Sequence, residues 1–213
     1  MKIINASVEV LSPKCLLQGI EMMELTEMAG RVCYKSDKKG EDEKETARFI
    51  NKIINNGHHS VLEHITATVK FVCDRGVSHE IVRHRLAAYS QESTRYCNYS
   101  QKRFGNEITV IKPLFFDEGS DEYAVWENSC KFSEASYFAL LELGCNAQQA
   151  RSVLPNSLKT EIVVTYNIRE WRHFFNLRYL GTTGTPHPQM REVAGMALEK
   201  LKNVIPIVFD DFV

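Results

Sequence analysis

The sequence predicts a single domain of the α+β class, with a small antiparallel or mixed sheet packed against several helices. Segments with helical periodicity dominate and separate the few strand-like segments, so the strands must pair over long distances along the chain. The 213 residues contain no internal repeat, no low-complexity segment and no linker-like change in composition. We therefore expect one domain that spans residues 1–213.

The predicted strands are rich in β-branched residues, and apolar and polar side chains alternate along them. The clearest case is "ITATVKFVCD" (65–74), in which Ile65, Ala67, Val69 and Phe71 share one face. The predicted strands cover residues 2–12, 65–74, 107–113 and 159–168.

The predicted helices carry apolar residues at a period of about 3.6 and begin or end at residues that favour helix termini. Ser78, Asn146 and Asn167 are candidate N-caps, while Gly57 and Gly144 are expected to end helices. The predicted helices cover residues 22–34, 41–57, 76–86, 121–143, 146–154, 169–180 and 188–204.

The composition is that of an ordinary folded protein, because hydrophobic residues make up 44% and charged residues 25% of the chain. The net charge is −1, so bulk electrostatics does not favour a protein that coats nucleic acid. The N-terminal residues lack the apolar segment of a signal peptide, and no run of about 18 apolar residues is present. We therefore expect a cytoplasmic protein with no membrane partner.

The cysteines are scattered and form no CxxC pair, so in a cytosolic chain we expect reduced, small apolar side chains rather than disulfides. They are Cys15, Cys33, Cys73, Cys97, Cys130 and Cys145.

Two histidine-containing segments could suggest a metal site. In "SHEIVRH", His79 and His84 would lie about 140° apart on a helix, whereas the zinc-binding pattern needs histidines four residues apart. In "HHSVLEH" (58–64) the residue types suit a metal, but there is no second ligand cluster, so a turn and helix cap after Gly57 is favoured. We therefore predict no metal, with a metal-dependent hydrolase as an alternative.

The segment "RHRLAAYSQESTRY" (83–96) carries three arginines that repel one another unless an anion lies between them. Hydroxyl groups beside a guanidinium suit a phosphate, and Gln or Glu can recognise the edge of a base. Ser93 lacks a clearly placed histidine–acid pair, so phosphate binding is favoured over a role as nucleophile. A solvated basic helix end is the simplest alternative. A second is a single-stranded nucleic-acid-binding module in which Tyr89 and Tyr96 stack on bases.

A second arginine series, also explicable by internal ion pairs, strengthens the case for an anionic ligand. It consists of Arg151, Arg169, Arg172 and Arg178. Within "NIREWRHFFNLR" (167–178), Arg169, His173 and Asn176 are expected to share one side of a helix.

Four segments resemble the flavin-dependent thymidylate synthases. "RHR" at 83–85, followed after seven residues by Ser93, resembles that family's RHR-x7-S signature. Three further segments resemble family motifs in the same order, over roughly residues 20 to 205: "HHSVLEH" (58–64), "ARSVLPNSL" (150–158) and "NIREWRHFFNLR" (167–178).

The resemblance implies an enzyme that makes dTMP from dUMP, with 5,10-methylenetetrahydrofolate as carbon donor and NADPH as reductant through FAD. It implies a thymidylate synthase-complementing-protein-like fold. It also implies a homotetramer whose active sites are shared between subunits, with no nucleic-acid partner.

The resemblance also implies roles for individual residues. Arg178 would be catalytic, orienting the uracil and stabilising negative charge on it. The residues implied for FAD are His58, Ser60, Glu63, Arg83, His84, Arg85, Asn167, Ile168, Arg169 and His173. The residues implied for dUMP are Glu80, Arg83, Gln91, Glu92, Ser93, Thr94, Arg95, Arg151 and Arg178. Glu80, Thr94 and His173 depart from the family's commonest residues.

Overall fold

A computed structural model describes residues 1–12, 19–37 and 43–212. The strands are β1 (Lys2–Ile4), β2 (Ser7–Val10), β3 (Thr66–Asp74), β4 (Ala87–Gln91), β5 (Thr109–Ile111) and β6 (Lys159–Asn167). The α-helices are α1 (Gly19–Tyr34), α2 (Glu43–Asn55), α3 (Arg75–Ile81), α4 (Asp121–Glu142), α5 (Ala147–Ala150), α6 (Ile168–Phe175) and α7 (Pro188–Val204).

The chain divides into two compact units. The first comprises residues 1–7, 71–83 and 90–162, and the second comprises the described parts of 8–70, 84–89 and 163–213. Strands β2, β3, β4 and β6 each contribute residues to both units. The organisation of residues 1–213 as one domain stays a prediction.

Strands β2, β3, β6 and β4 form a four-stranded sheet in that order, and β1 pairs with β5 in parallel. Two contacts show how β3 and β6 pair. The Thr68 and Thr165 hydroxyls lie 2.8 Å apart, and just beyond the strands the amide of Ile168 donates to the carbonyl oxygen of Ile65. Because residue numbers fall along β6 as they rise along β3, this central pair is antiparallel. The predicted α+β class with a small sheet is confirmed.

The core of the second unit is aromatic. Trp171 stacks on Phe175 with ring centroids 5.6 Å apart, and Phe209 and Phe212 pack edge-on against Phe175. The Trp171 indole N–H donates to the carbonyl oxygen of Ala67 at 3.1 Å, so the polar atom of this buried ring is satisfied. This packing holds α6 against β3.

A smaller core holds the first unit together. The buried side chains of Tyr99, Ile108, Val110, Tyr137 and Leu158 form its centre. Tyr137 lies on α4 and its hydroxyl oxygen accepts a hydrogen bond from the Tyr99 amide at 3.3 Å. The long helix therefore anchors the chain just after residues 91–95.

Several predicted boundaries are confirmed. The last helix covers residues 188–204 as predicted. Asn146 caps α5 in a reciprocal capping box with Gln149, and the Asn167 side chain caps α6 by accepting from the Glu170 amide. The predicted helix over 41–57 is α2, which ends two residues earlier than predicted, at Asn55; residues 41 and 42 lie outside the described residues.

The predicted strand over 2–12 is wrong as a single element. It consists of β1 and β2, which are separated by Asn5 and Ala6 and belong to different sheets. Alternation along the sequence does not reveal a change of sheet, because both strands keep the same side-chain period.

The predicted helix over 76–86 is also wrong in both its cap and its end. Asp74 caps α3, since its Oδ1 accepts from the Val77 amide at 2.7 Å, whereas the Ser78 hydroxyl bonds back to the Arg75 carbonyl. The helix ends at Ile81, and residues 87–91 form β4. Residues 82–86 therefore connect α3 to β4 instead of extending the helix, and β4 pairs with β6.

Within the ranges that the structure describes, none of the helices combines the length and apolar character that crossing a membrane requires.

Candidate active site

His84, Glu170 and Arg178 form a chain of contacts in the second unit. His84 Nδ1 lies 2.9 Å from Glu170 Oε1, and Arg178 Nε lies 3.2 Å from His84 Nε2. Glu170 lies on α6, and Arg178 lies in the turn of π-helix that follows it, Asn176–Leu180. Single π-helical turns occur often at functional sites. Two segments that are far apart in the sequence thus meet at one point.

Aromatic rings enclose His84, which is only 4% exposed. Phe174 and His173 lie edge-on to its ring at centroid distances of 5.1 and 5.6 Å, and Tyr166 is tilted against it at 6.0 Å. The Tyr89 hydroxyl donates to the His84 carbonyl oxygen and contacts the Tyr166 hydroxyl. Tyr89 is therefore part of this packing, which counts against the stacking role that a nucleic-acid-binding module would give it.

The hydrogen-bond geometry assigns a tautomer to the His84 imidazole. A guanidinium Nε–H is always a donor, so His84 Nε2 must accept and carries no proton. Nδ1 then carries the proton and donates to Glu170. Burial raises the pKa of Tyr166, so its phenol stays protonated beside this group.

These hydrogen bonds of His84 bear on metal binding. His84, Glu170 and His173 bring ligand-type atoms within 4.8 Å of one another. Both ring nitrogens of His84 are already engaged, and a cation would approach the permanently charged Arg178 guanidinium. The arrangement therefore disfavours a metal, and the predicted absence of one stays a prediction.

A cavity of about 510 Å³ opens beside this group in the second unit. Several residues predicted for FAD line it together: Glu63, Asn167, Arg169 and His173. The predicted shared side of Arg169, His173 and Asn176 is thus confirmed. Sequence reasoning assigned no cofactor role to further lining residues, namely His59, Leu86, Glu170, Arg172 and Asn176.

The lining of this cavity suits an anionic dinucleotide. Arg169 Nη1 lies 2.6 Å from Glu63 Oε1 in an exposed pair, and such a pair exchanges partners at little cost. Arg172 Nε is buried and has no hydrogen-bond partner among the described residues. An unsatisfied buried donor in the last turn of α6 fits a phosphate or carbonyl oxygen of a bound group.

The remaining residues predicted for FAD lie in different surroundings. His58 Nδ1 lies 2.7 Å from the Tyr34 hydroxyl, and His58 lines another cavity of about 530 Å³. Ser60, Arg83 and Arg85 are exposed. Ile168 is fully buried, so that only its backbone could contact a ligand.

In the first unit, residues 91–95 lead from the last residue of β4 into a turn, and their polar groups are partly engaged. The Ser93 carbonyl accepts from the Tyr96 and Cys97 amides, and the Ser93 hydroxyl oxygen lies 3.3 Å from the Arg95 amide. Gln91 Nε2 donates to Ser78 and to a second hydroxyl, that of Thr160. Gln91 would therefore recognise a base only through its carbonyl oxygen.

Two arginines flank this turn. Arg95 Nε donates to Gln148 Oε1 at 2.6 Å, and Arg151 Nη1 lies 3.4 Å from the Thr94 hydroxyl. Arg95 and Arg151 are exposed, whereas Thr94 is buried. The structure thus brings the predicted Thr94, Arg95 and Arg151 together, with two guanidinium groups beside hydroxyl groups.

Glu92 is engaged inside the first unit. Its Oε2 lies 2.9 Å from Lys159 Nζ, and its Oε1 accepts from the Tyr99 hydroxyl at 3.3 Å. Glu80 is partly exposed on α3. The contacts of Glu80 and Glu92 with dUMP stay predictions.

The described cysteines are free thiols, and burial raises the pKa of Cys73 and Cys130. Thiols with raised pKa values are poor nucleophiles. Cys15 lies outside the described residues.

The comparisons with known proteins agree with this fold and site. The family model for thymidylate synthase complementing protein matches residues 16–207. A flavin-dependent thymidylate synthase from Geobacter sulfurreducens is 35% identical over 192 residues, which is 86% of this chain and 79% of the relative. Its counterpart from Corynebacterium efficiens is 36% identical over 201 residues, which is 88% of this chain and 78% of the relative.

A solved structure shows the same fold. The UMP/dUMP methylase PolB from Streptomyces cacaoi, bound with 5-Br dUMP, superimposes with a TM-score of 0.76 at 20% sequence identity. The match covers 100% of this chain and 96% of that one.

The fold, the buried polar site and these matches together identify the chain as an enzyme. More particularly, the chain belongs to the thymidylate synthase complementing protein family.

Proposed function

We propose that this enzyme makes dTMP from dUMP by reductive methylation, with 5,10-methylenetetrahydrofolate as carbon donor and NADPH as reductant through FAD. The convergence of His84, Glu170 and Arg178 carries the proposal. All three residues lie in segments that resemble the flavin-dependent thymidylate synthases: His84 in residues 83–85, and Glu170 and Arg178 in residues 167–178. Relatives with that name support the same reaction.

Arg178 would orient the uracil ring and stabilise the charge that develops on it. When C5 of uracil becomes nucleophilic, negative charge spreads over N3 and the carbonyl oxygens. A guanidinium already held in place by His84 favours that state over neutral uracil without reorganising. A protein nucleophile is then not required, which agrees with the raised pKa values of the buried thiols.

The turn at residues 91–95 would bind the nucleotide. Ser93, Thr94 and Arg95 would contact the phosphate of dUMP, with Arg151 as a further contact, because these residues offer hydroxyl and guanidinium donors on one surface. Gln91 would accept from the base, and Glu80 would contact the sugar or base.

FAD, when bound, supplies the reducing equivalents of the reaction. Glu63, Asn167, Arg169 and His173 would hold it in the cavity of about 510 Å³, where the unpaired Arg172 Nε offers a further donor. The other predicted contacts with FAD would come from His58, Ser60, Ile168, Arg83, His84 and Arg85. A homotetramer with shared active sites and a cytoplasmic location belong to the same proposal.

The test is the visible spectrum of the purified chain with and without added FAD, followed by dTMP formation from dUMP, 5,10-methylenetetrahydrofolate and NADPH. A flavin spectrum and product that requires all three substrates are expected. Failure to bind FAD under any condition would refute the proposal. In that event, salt-sensitive binding of single-stranded oligonucleotides would favour a nucleic-acid-binding module instead.

A further inference from the structure

We propose that Glu170 is a positioning residue, which orients the Arg178 guanidinium by holding His84 as the tautomer protonated at Nδ1. This inference rests on the proposed function, because it concerns the residue that would meet the uracil. Glu170 is one of the lining residues to which the sequence motifs assign no role.

The direction of the hydrogen bonds places the proton of the His84 imidazole on Nδ1. Glu170 Oε1 lies 2.9 Å from His84 Nδ1, and a carboxylate can only accept, so Nδ1 carries the proton. His84 Nε2 then presents a lone pair to Arg178 Nε at 3.2 Å. Without an acceptor at Nδ1, the proton could move to Nε2, where it would point at the Nε–H of Arg178 and repel it.

Burial and the surrounding rings hold Glu170 and His84 in place. Glu170 is 7% exposed and His84 is 4% exposed, so water cannot readily replace the carboxylate as acceptor. Phe174 lies edge-on at 5.1 Å and His173 at 5.6 Å, so the imidazole cannot easily rotate to exchange its nitrogens. The carboxylate therefore determines the tautomer, much as outer partners orient histidine ligands at metal sites.

Helix α6 and the π-helical turn after it connect Glu170 to the Arg178 guanidinium along the backbone. Glu170 lies in the first turn of α6, which Asn167 caps, so its position is rigid with respect to the helix. Arg178 lies in the following π-helical turn. Because the guanidinium is planar, fixing Nε by His84 sets the orientation of the whole group.

The experiment compares Glu170→Leu, which removes the acceptor, with Glu170→Gln, whose carbonyl oxygen can still accept from Nδ1. For FAD-loaded enzyme, kcat should fall about tenfold or more in Glu170→Leu, while the KM for dUMP changes less than about threefold. Glu170→Gln should keep kcat within about threefold of wild type.

The matched control is Glu27→Leu. Glu27 is a buried carboxylate of the same unit, held by Thr46 at 2.5 Å and by Arg31 at 2.6 Å. Its loss should lower the free energy of unfolding without lowering the kcat of folded, FAD-loaded enzyme. An equal loss of kcat in Glu27→Leu would show that Glu170 acts only through general stability, and would overturn the proposal.

A readout independent of turnover is the ¹⁵N NMR spectrum of histidine-labelled protein, with the His84 signals assigned by a His84→Gln variant. The wild type and Glu170→Gln should show His84 protonated at Nδ1, and Glu170→Leu, where it folds, should lose that signature. A wild-type proton on Nε2, or unchanged kcat in folded Glu170→Leu, would overturn the inference.

The two proposals can fail separately. If the wild-type enzyme makes no dTMP, the proposed function fails, and the NMR signature still tests the tautomer. If it makes dTMP but the Glu170 variants match it in kcat, only the positioning role fails.

Discussion

Lys159 Nζ lies 2.9 Å from Glu92 Oε2, in a largely buried ion pair at the turn of residues 91–95. Burial alone would lower the pKa of Lys159, but hydrogen bonds to Glu161 and Glu92 outweigh it and raise the pKa. Lys159 therefore stays charged and holds Glu92, the residue that precedes Ser93, by an ion pair.

Replacing Lys159 by Met should loosen this turn, because it leaves the Glu92 carboxylate partly buried with Tyr99 as its remaining named donor. The expected result is a KM for dUMP that rises several-fold, with unchanged affinity for FAD. Lys131→Met is the matched control, since Lys131 pairs with Glu127 on the exposed side of α4. Steady-state kinetics with varied dUMP concentration measures the KM of both variants. An unchanged KM for dUMP in Lys159→Met would contradict the role of this pair.

Arg178→Ala should abolish turnover while leaving FAD binding largely intact, because the guanidinium would act on the uracil. Arg178→Lys keeps a charge but lacks the Nε–H that contacts His84, so it should restore little of kcat. Product formation by chromatography and flavin titration by absorbance separate the two effects. Wild-type dTMP formation in either variant would refute the role.

Arg95→Ala should raise the KM for dUMP about tenfold to a hundredfold, since a charged hydrogen bond contributes about 1.5–3 kcal/mol. The KM for the folate should stay unchanged. Gln148→Ala removes only the side chain that holds Arg95 Nε at 2.6 Å, so its effect should be smaller. Equal effects of Arg95→Ala on both substrates would count against a phosphate contact.

The pair of Arg172 and Asp211 should make stability depend on pH. Burial would raise the pKa of Asp211, but two hydrogen bonds and the charge of Arg172 outweigh it and lower the pKa below the ordinary 3.8. A carboxyl group with a lowered pKa stabilises the fold at pH values above its ordinary pKa. This contribution is lost as the pH falls through the lowered pKa of the folded state.

Asp211→Asn should therefore reduce the free energy of unfolding at neutral pH by about 1 kcal/mol, because Asp211 is half exposed. The difference from wild type should shrink as the pH falls below 3.8. Urea denaturation at a series of pH values measures this. A difference that does not depend on pH would contradict the ion pair.

Local features of the sequence predicted much of the fold. Asn146 and Asn167 cap helices as predicted, and the last helix covers residues 188–204, because caps and amphipathic periodicity act over a few residues. The helix predicted over 76–86 ends instead at Ile81, and the chain then leads into β4, whose partner β6 lies far away in the sequence.

The sequence by itself determined the α+β class, the family, and the residue types of the site, because motifs and periodicity are written along the chain. Only the tertiary structure decided how those residues are used. Glu92 is held by Lys159 and Tyr99, and Glu170 meets His84, because such partners are chosen by packing. Burial and hydrogen-bond direction depend on neighbours that are distant in sequence, so no local pattern could reveal them.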